Sequence, residues 1–304
     1  MKAVIKKTIG FAVAGVILFF IIRNLTSSLA ELEATEFRVM PWRLAGSFCV
    51  LAVLFIVYGR IWQYILRRLG YFVGFTQSMR IWFLSQAGRY IPGKVWFALG
   101  RIYLCEREGV PRGVATVAMG LELALVLGSA IVVFGAAAVI SPSLARREYL
   151  FGLVLVPLIV ACVHPRVIKA VLSRLRKVPA DFEMSYPDVL RVLGLYALCW
   201  CIYGIGFYLI GTSFWVVDAP PSFQSGHVQV IPEMIGINSL SWAGGLLSVI
   251  TPAGLGVREG ISGILLSRVV ESPYPSLIPL VARLWVTIAE LGTIGVLLLL
   301  RGVK

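Results

Sequence analysis

The sequence predicts an all-α polytopic membrane protein, with about six spanning helices and two re-entrant or broken helical hairpins in an inverted repeat. Three observations carry this expectation. Of 304 residues, 59% are hydrophobic and only 14% charged, where soluble domains run near half apolar and a quarter charged. The apolar residues gather in long runs. Two of those runs are interrupted by Pro and Gly beside ionisable residues, at matching places in the two halves. No polar stretch reaches the ~100 residues of a separate soluble domain. Residues 1–304 therefore read as one membrane domain, with a first repeat at 1–147 and a second at 148–304.

The elements follow in order. Residues 9–22 form an apolar core behind Lys2, Lys6 and Lys7. That pattern imitates a signal peptide, but no small-residue cleavage site stands out, so it reads as an uncleaved first helix. Residues 42–57 form the second. Residues 81–100 contain Arg89, Pro92, Gly93 and Lys94 near their middle. Pro-Gly breaks a helix, and irregular backbone at membrane depth survives only where protein or a cavity surrounds it. This segment therefore reads as a hairpin that dips in and returns to its own side. Helices at 114–140, 149–163 and 189–217 come next. A second interrupted segment spans 231–270, broken at Thr251-Pro-Ala-Gly-Leu-Gly256. The last helix covers 277–300.

Charge sets the orientation. With the N-terminus inside, the inner side collects Lys2, Lys6, Lys7, Arg67, Arg68, Arg80, Arg101, Arg107, Arg112, Arg166, Lys169, Arg174, Arg176, Lys177, Arg301 and Lys304. The outer side receives Arg23, Arg38, Arg43, Arg146, Arg147 and Arg268. That bias predicts N-in, C-in and a multi-pass protein of the cytoplasmic (inner) cell membrane. The net charge of +13 is then a membrane-surface feature. Nucleic acid is not an expected partner, because no basic face with interleaved aromatics lies outside the apolar runs. The basic, amphipathic stretch at 165–191 suits either an anionic leaflet or solvent.

Each half reads helix, helix, broken hairpin, helix, in opposite topology. Pro92 precedes Glu122 by 30 residues, and Pro252 precedes Arg283 by 31. Paired Gly/Pro-interrupted segments in corresponding positions point to a transporter site at an inverted-repeat interface. The candidate substrate-binding residues are therefore Arg89, Pro92, Gly93, Lys94, Glu122, Pro252, Gly254, Gly256, Arg258, Glu259 and Arg283, with Glu290 further along the last helix. A charge at the bilayer centre costs about 2.5–3.5 kcal/mol on insertion scales, so these groups should pair or line a wet cavity. Glu122 is expected to meet Arg283, and Glu259 to answer Lys94 or Arg89. Internal salt bridges are the competing explanation. The surplus of cations suits a phosphate.

Other features are less specific. An interfacial belt accounts for most of Trp42, Trp62, Tyr64, Trp82, Trp96, Tyr103, Trp215, Trp242 and Trp285. Trp96 and Trp242, beside the breaks, could face an acyl chain. Cys49, Cys105, Cys162, Cys199 and Cys201 show no disulfide or metal spacing, and no cofactor is expected.

The blocks Gly88-Arg-Tyr-Ile-Pro-Gly-Lys-Val-Trp96 and Thr251-Pro-Ala-Gly-Leu-Gly-Val-Arg-Glu259, followed by Ala282-Arg283-Leu284, resemble the flippase-like membrane domain of lysylphosphatidylglycerol synthases, which also occurs alone. The resemblance covers nearly the whole chain. It implies an all-helical domain with re-entrant segments that moves or handles lipids, including phospholipids, hopanoids and polyprenyl-linked sugars. Two-domain members attach an aminoacyl-transferase domain. This chain ends just after its last helix, so aminoacylation of lipid by this chain alone is not expected.

The leading expectation is a non-enzymatic flippase that moves an anionic, phosphate-bearing lipid by alternating access. The alternatives are a lipid-presenting subunit of a lipid-synthesis or glycosyltransferase enzyme, and an intramembrane lipid transferase. The oligomeric state is left open.

Overall fold

The computed structural model describes residues 37–90, 95–141, 143–144, 184–216, 230–248, 254–271 and 273–299. The expected helices at 9–22 and 149–163, most of the 165–191 stretch, and Pro92, Gly93, Lys94 and Pro252 lie outside these residues. So does the boundary drawn between 147 and 148.

The described chain is helical apart from one short ribbon. Its helices are α1 (Pro41–Arg68), α2 (Phe75–Gln86), α3 (Val95–Arg107), α4 (Arg112–Ile140), α5 (Tyr186–Thr212), α6 (Ile231–Leu247), α7 (Val257–Leu266) and α8 (Tyr274–Leu299), with a 3-10 turn at Ala87–Tyr90 continuing α2. Among these, α1, α4, α5 and α8 are long and apolar enough to cross a membrane. Their outward residues, such as Ile56, Leu123, Ile205 and Ile288, are large and apolar, as a lipid-facing surface requires.

In two stretches the described helices end before the Pro-Gly sequences and resume after them, at Tyr90 and Val95 and at Leu247 and Val257. Helices α2 and α3, of 12 and 13 residues, are about 18–20 Å long and fall short of a hydrocarbon core of about 30 Å. They pack side by side. Gly88 is the contact point, since a Cβ there would sit 2.5 Å from the Phe97 nitrogen. Helices α6 and α7 repeat the arrangement across the second break. Gly254 and Gly256 there have φ of 71° and 81°, the left-handed region that glycine enters freely. Gly254 also lies against the Gly245 backbone, where a Cβ would be 2.8 Å from the Gly245 Cα.

The helix pair α1 and α5 forms the spine and runs antiparallel. One end is closed by a ribbon of β1 (Phe37–Val39) and β2 (Phe214–Val216), paired antiparallel. The Met40 amide donates to the Ser213 carbonyl at 2.7 Å, and Arg43 donates to the Thr212 carbonyl at 3.1 Å. An arginine on the last carbonyls of a helix also complements its dipole. The other end is closed around Asp188, which accepts from Tyr64 at 2.7 Å and pairs with Arg68 at 3.0 Å. Ser185 and Asp188 cap the start of α5.

The ribbon corrects the sequence reading, which ran a helix through residue 217. Helix α5 stops at Thr212, and residues 214–216 pair with a segment far away in sequence, a long-range contact that local pattern does not encode.

Packing in the two halves corresponds. Helix α2 lies on α1, and α6 on α5; α3 lies on α4, and α7 on α8; α4 touches α6, and α8 touches α2. Small residues let α6 sit deep. A Cβ on Gly204 would be 2.4 Å from the Ile235 Cα, and one on Gly236 would be 2.6 Å from the Ala137 Cβ. Close helix approach of this kind is the usual adhesive between apolar helices in lipid.

Gly204→Ala should therefore lower the stability of the solubilised protein by about 1–3 kcal/mol through overpacking. Gly194→Ala, where a Cβ meets nothing within 4 Å, should raise it by about 0.5–1 kcal/mol. Thermal unfolding in detergent reads both signs.

Candidate functional site

Among the described residues, two clusters of paired ionisable groups lie within the helices, and Glu233 on α6 stands apart from both, accepting from Ser141. The first cluster lies between α2, α3, α4 and α5. Arg101 forms an ion pair with Glu122 and donates from Nε to Ser85 at 3.0 Å. Glu122 also accepts from Trp82 Nε1 at 2.7 Å and from Tyr196 at 3.2 Å. Arg101 is 0% exposed. Its guanidinium lies 4.7 Å from the ring centroids of both Trp62 and Phe97, close enough for cation–π attraction. Aromatic rings and hydrogen bonds thus replace part of the water this pair has lost, while Arg101 Nη2 is buried without a hydrogen-bond partner among the described residues.

The second cluster lies at the other break. The Glu259 carboxylate accepts from the Gly256 amide at 2.7 Å and stands 3.7 Å from Arg283. One carboxylate thereby caps the start of α7 and ties it to α8. Arg258 donates to Tyr203 on α5 at 3.3 Å. From the first break, Arg89 pairs with Glu290 on α8, and Tyr90 donates to the other oxygen of Glu290 at 2.7 Å. Arg89 and Tyr90 lie within electrostatic range of Arg283, and Arg89 within range of Tyr203. Both breaks therefore contribute charged groups to one region around α8.

A cavity of about 20 Å³ opens here, lined in part by Tyr203, Asn238, Arg258, Glu259 and Arg283. That volume holds about one water. Tyr203 is the eighteenth residue of the 27 in α5, so the cavity is set well inside the helix and away from both ends.

Of the sequence candidates, Arg89, Gly254, Gly256, Arg258, Glu259 and Arg283 come together. Glu122 does not. The expected Glu122–Arg283 pair is absent, and so is Glu259 with Arg89. The reason is visible in the packing. Glu122 on α4 and Arg283 on α8 occupy corresponding places, and each pairs with the short limb packed against its own helix. Glu122 takes Arg101 of α3, and Arg283 takes Glu259 of α7. Equal spacing from the two prolines does not imply contact between the residues it picks out.

Sequence reasoning missed Arg101, which the loop-charge rule put at the cytoplasmic surface. Its spacing held a clue, because Phe97 and Cys105 share its helix face at i−4 and i+4. It also missed Tyr203 and Asn238, an uncharged amide inside an apolar run. Trp62, Trp82 and Trp285 are buried instead of standing in an interfacial belt, the first two because they wrap Arg101. Trp242 packs on Trp200, with centroids 5.2 Å apart. Trp96 is exposed. Among the described residues, no group of His, Cys, Asp and Glu could hold a metal ion.

The family model described as the lysylphosphatidylglycerol synthase TM region matches residues 7–289. The chain belongs to that family, and it is a multi-pass membrane domain related to lipid handling. Comparison with curated proteins and with solved structures returned no match.

Arg101→Met would leave Glu122 as a buried carboxylate without its cation, at a cost of about 3–5 kcal/mol. Replacing Glu122 by Met as well should recover most of that loss. Unfolding of the two single variants and the double variant in detergent measures the coupling.

Proposed function

We propose that this member of the lysylphosphatidylglycerol synthase TM-region family is a flippase, moving an anionic, phosphate-bearing lipid across the cytoplasmic membrane without chemical change. One observation carries the reading. Three arginines, Arg89, Arg258 and Arg283, converge on one membrane-depth region where, among the described residues, Glu259 and Glu290 are the carboxylates paired with them. A surplus cation in a low-dielectric setting calls for an anion, and arginine suits phosphate. In a bilayer the abundant anion is a lipid headgroup. Arg258 and Arg283 line the cavity and are its direct ligands, with Arg89 beside them. Lys94 of the first break joins them in this proposal. Glu122 serves at a distance by holding α3 against α4 through Arg101.

The architecture supports alternating access. The corresponding packing of the two halves and the antiparallel α1–α5 spine favour an inverted repeat, with its boundary near 147. The α2–α3 and α6–α7 pairs, each made of limbs too short to cross, favour two re-entrant hairpins. Spans at 9–22 and 149–163 complete six, N-in and C-in. The cavity is closed to a headgroup in this conformation, so passage requires the halves to rock apart on one side and then on the other.

Purified protein in liposomes should speed the loss of dithionite-reducible signal from an acyl-labelled anionic phospholipid. Arg258→Ala should slow that movement by about 10- to 100-fold, the range for a lost hydrogen bond to a charged group. Unchanged movement in the variant would sink the assignment. Lipid binding without movement would favour a lipid-presenting subunit, and a chemically altered lipid would favour a transferase.

A further inference from the structure

The cavity wall carries more information than its charge. Asn238 is 4% exposed and lines the cavity, and its amide nitrogen has no hydrogen-bond partner among the described residues. A buried amide donor left unmade is costly, so a ligand group that accepts from it would be strongly preferred. The hydroxyls beside it are oriented by their own bonds. Ser241 donates to the Ile237 carbonyl at 2.6 Å, and Ser262 donates to the Arg258 carbonyl at 2.8 Å. Each keeps its oxygen lone pairs as acceptors. Tyr203 accepts from Arg258 and keeps its proton to give.

The carboxylates are engaged. Glu259 holds the Gly256 amide and Arg283, and Glu290 holds Arg89 and Tyr90. An ammonium group entering this cavity would meet Arg258 and Arg283 in its wall and would have to take the Glu259 carboxylate away from Arg283. A hydroxyl group would meet a free amide donor, a phenol and two serine acceptors.

We infer that the site selects a lipid whose phosphate carries an uncharged, hydroxyl-bearing headgroup, a polyol or a sugar, and rejects one bearing an amine. Asn238 is the specificity-determining residue, with Ser241 beside it. The inference rests on the flippase reading for the location of the headgroup, but it concerns binding and can be tested without transport. It also has a consequence for the family: an aminoacylated phospholipid is the wrong cargo for this chain.

The test is competition between lipids for the purified full chain, read by native mass spectrometry of the bound adducts. Phosphatidylglycerol, phosphatidylethanolamine and phosphatidic acid share a phosphate and differ in hydroxyls and amine. Phosphatidylglycerol should outcompete phosphatidylethanolamine about tenfold and phosphatidic acid about fivefold. Asn238→Leu, similar in size, should bring the ratio to phosphatidic acid near one while preserving discrimination against the amine. Ser241→Ala should lower the same ratio by less. Equal binding of the amine lipid in the wild type overturns the inference, and so does a glycerol preference that Asn238→Leu leaves intact. The two readings separate cleanly. Selective binding with no movement in liposomes contradicts the flippase and keeps the headgroup assignment, whereas movement without selectivity does the reverse.

Discussion

Helix α8 is the part on which the site depends, because it is tied to both broken segments by ion pairs. Glu290 takes Arg89 from the first break, and Arg283 takes Glu259 from the second. In lipid these pairs have no water to fall back on. A charge freed at membrane depth would need a new partner or a wet cavity, so the breaks are held to α8 by necessity as much as by attraction. Structural demand and the opportunity for a ligand thus come from one arrangement.

The two clusters show how corresponding positions acquire different properties. Arg101–Glu122 and Glu259–Arg283 each join a short limb to its neighbouring long helix, with the charges exchanged. The first is closed by Trp62, Trp82, Phe97 and Tyr196. The second has a cavity, lined by an Asn238 amide without a partner among the described residues, and an additional arginine. A sealed ion pair flanked by rings suits a fixed joint. A pair at 3.7 Å beside a hollow suits exchange with a ligand, since an entering anion can meet Arg283 while Glu259 stays anchored on the Gly256 amide.

Much of this was legible in the sequence. The long helices α1, α4, α5 and α8 follow from apolar runs, and the two breaks from Pro and Gly within such runs. The matching distances from Pro92 to Glu122 and from Pro252 to Arg283 picked out two residues that each pair with the short helix packed on their own long one. Their partners could not be read, because contact depends on which helices adjoin, and α4 and α8 lean on different neighbours. Arg101 was hidden because it directly follows the interrupted segment 81–100 drawn from the sequence and so read as a loop charge, whereas it sits mid-helix in Val95–Arg107 with three aromatic rings around it. The β1–β2 ribbon was hidden because three-residue strands carry little local pattern, and their pairing joins segments far apart in the chain. Asn238 looks ordinary in sequence, and only its burial against Arg258 and Arg283 gives it meaning.

The most direct test of the shared region is charge exchange between Arg89 and Glu290, read as thermal stability of the purified protein. Arg89→Glu and Glu290→Arg should each lower the melting temperature by placing like charges together. The double exchange should recover most of the loss, because the pair is restored in reverse. Losses in the two single variants that simply add in the double variant would mean that the first break does not meet α8, and the account of one region served by both breaks would be wrong.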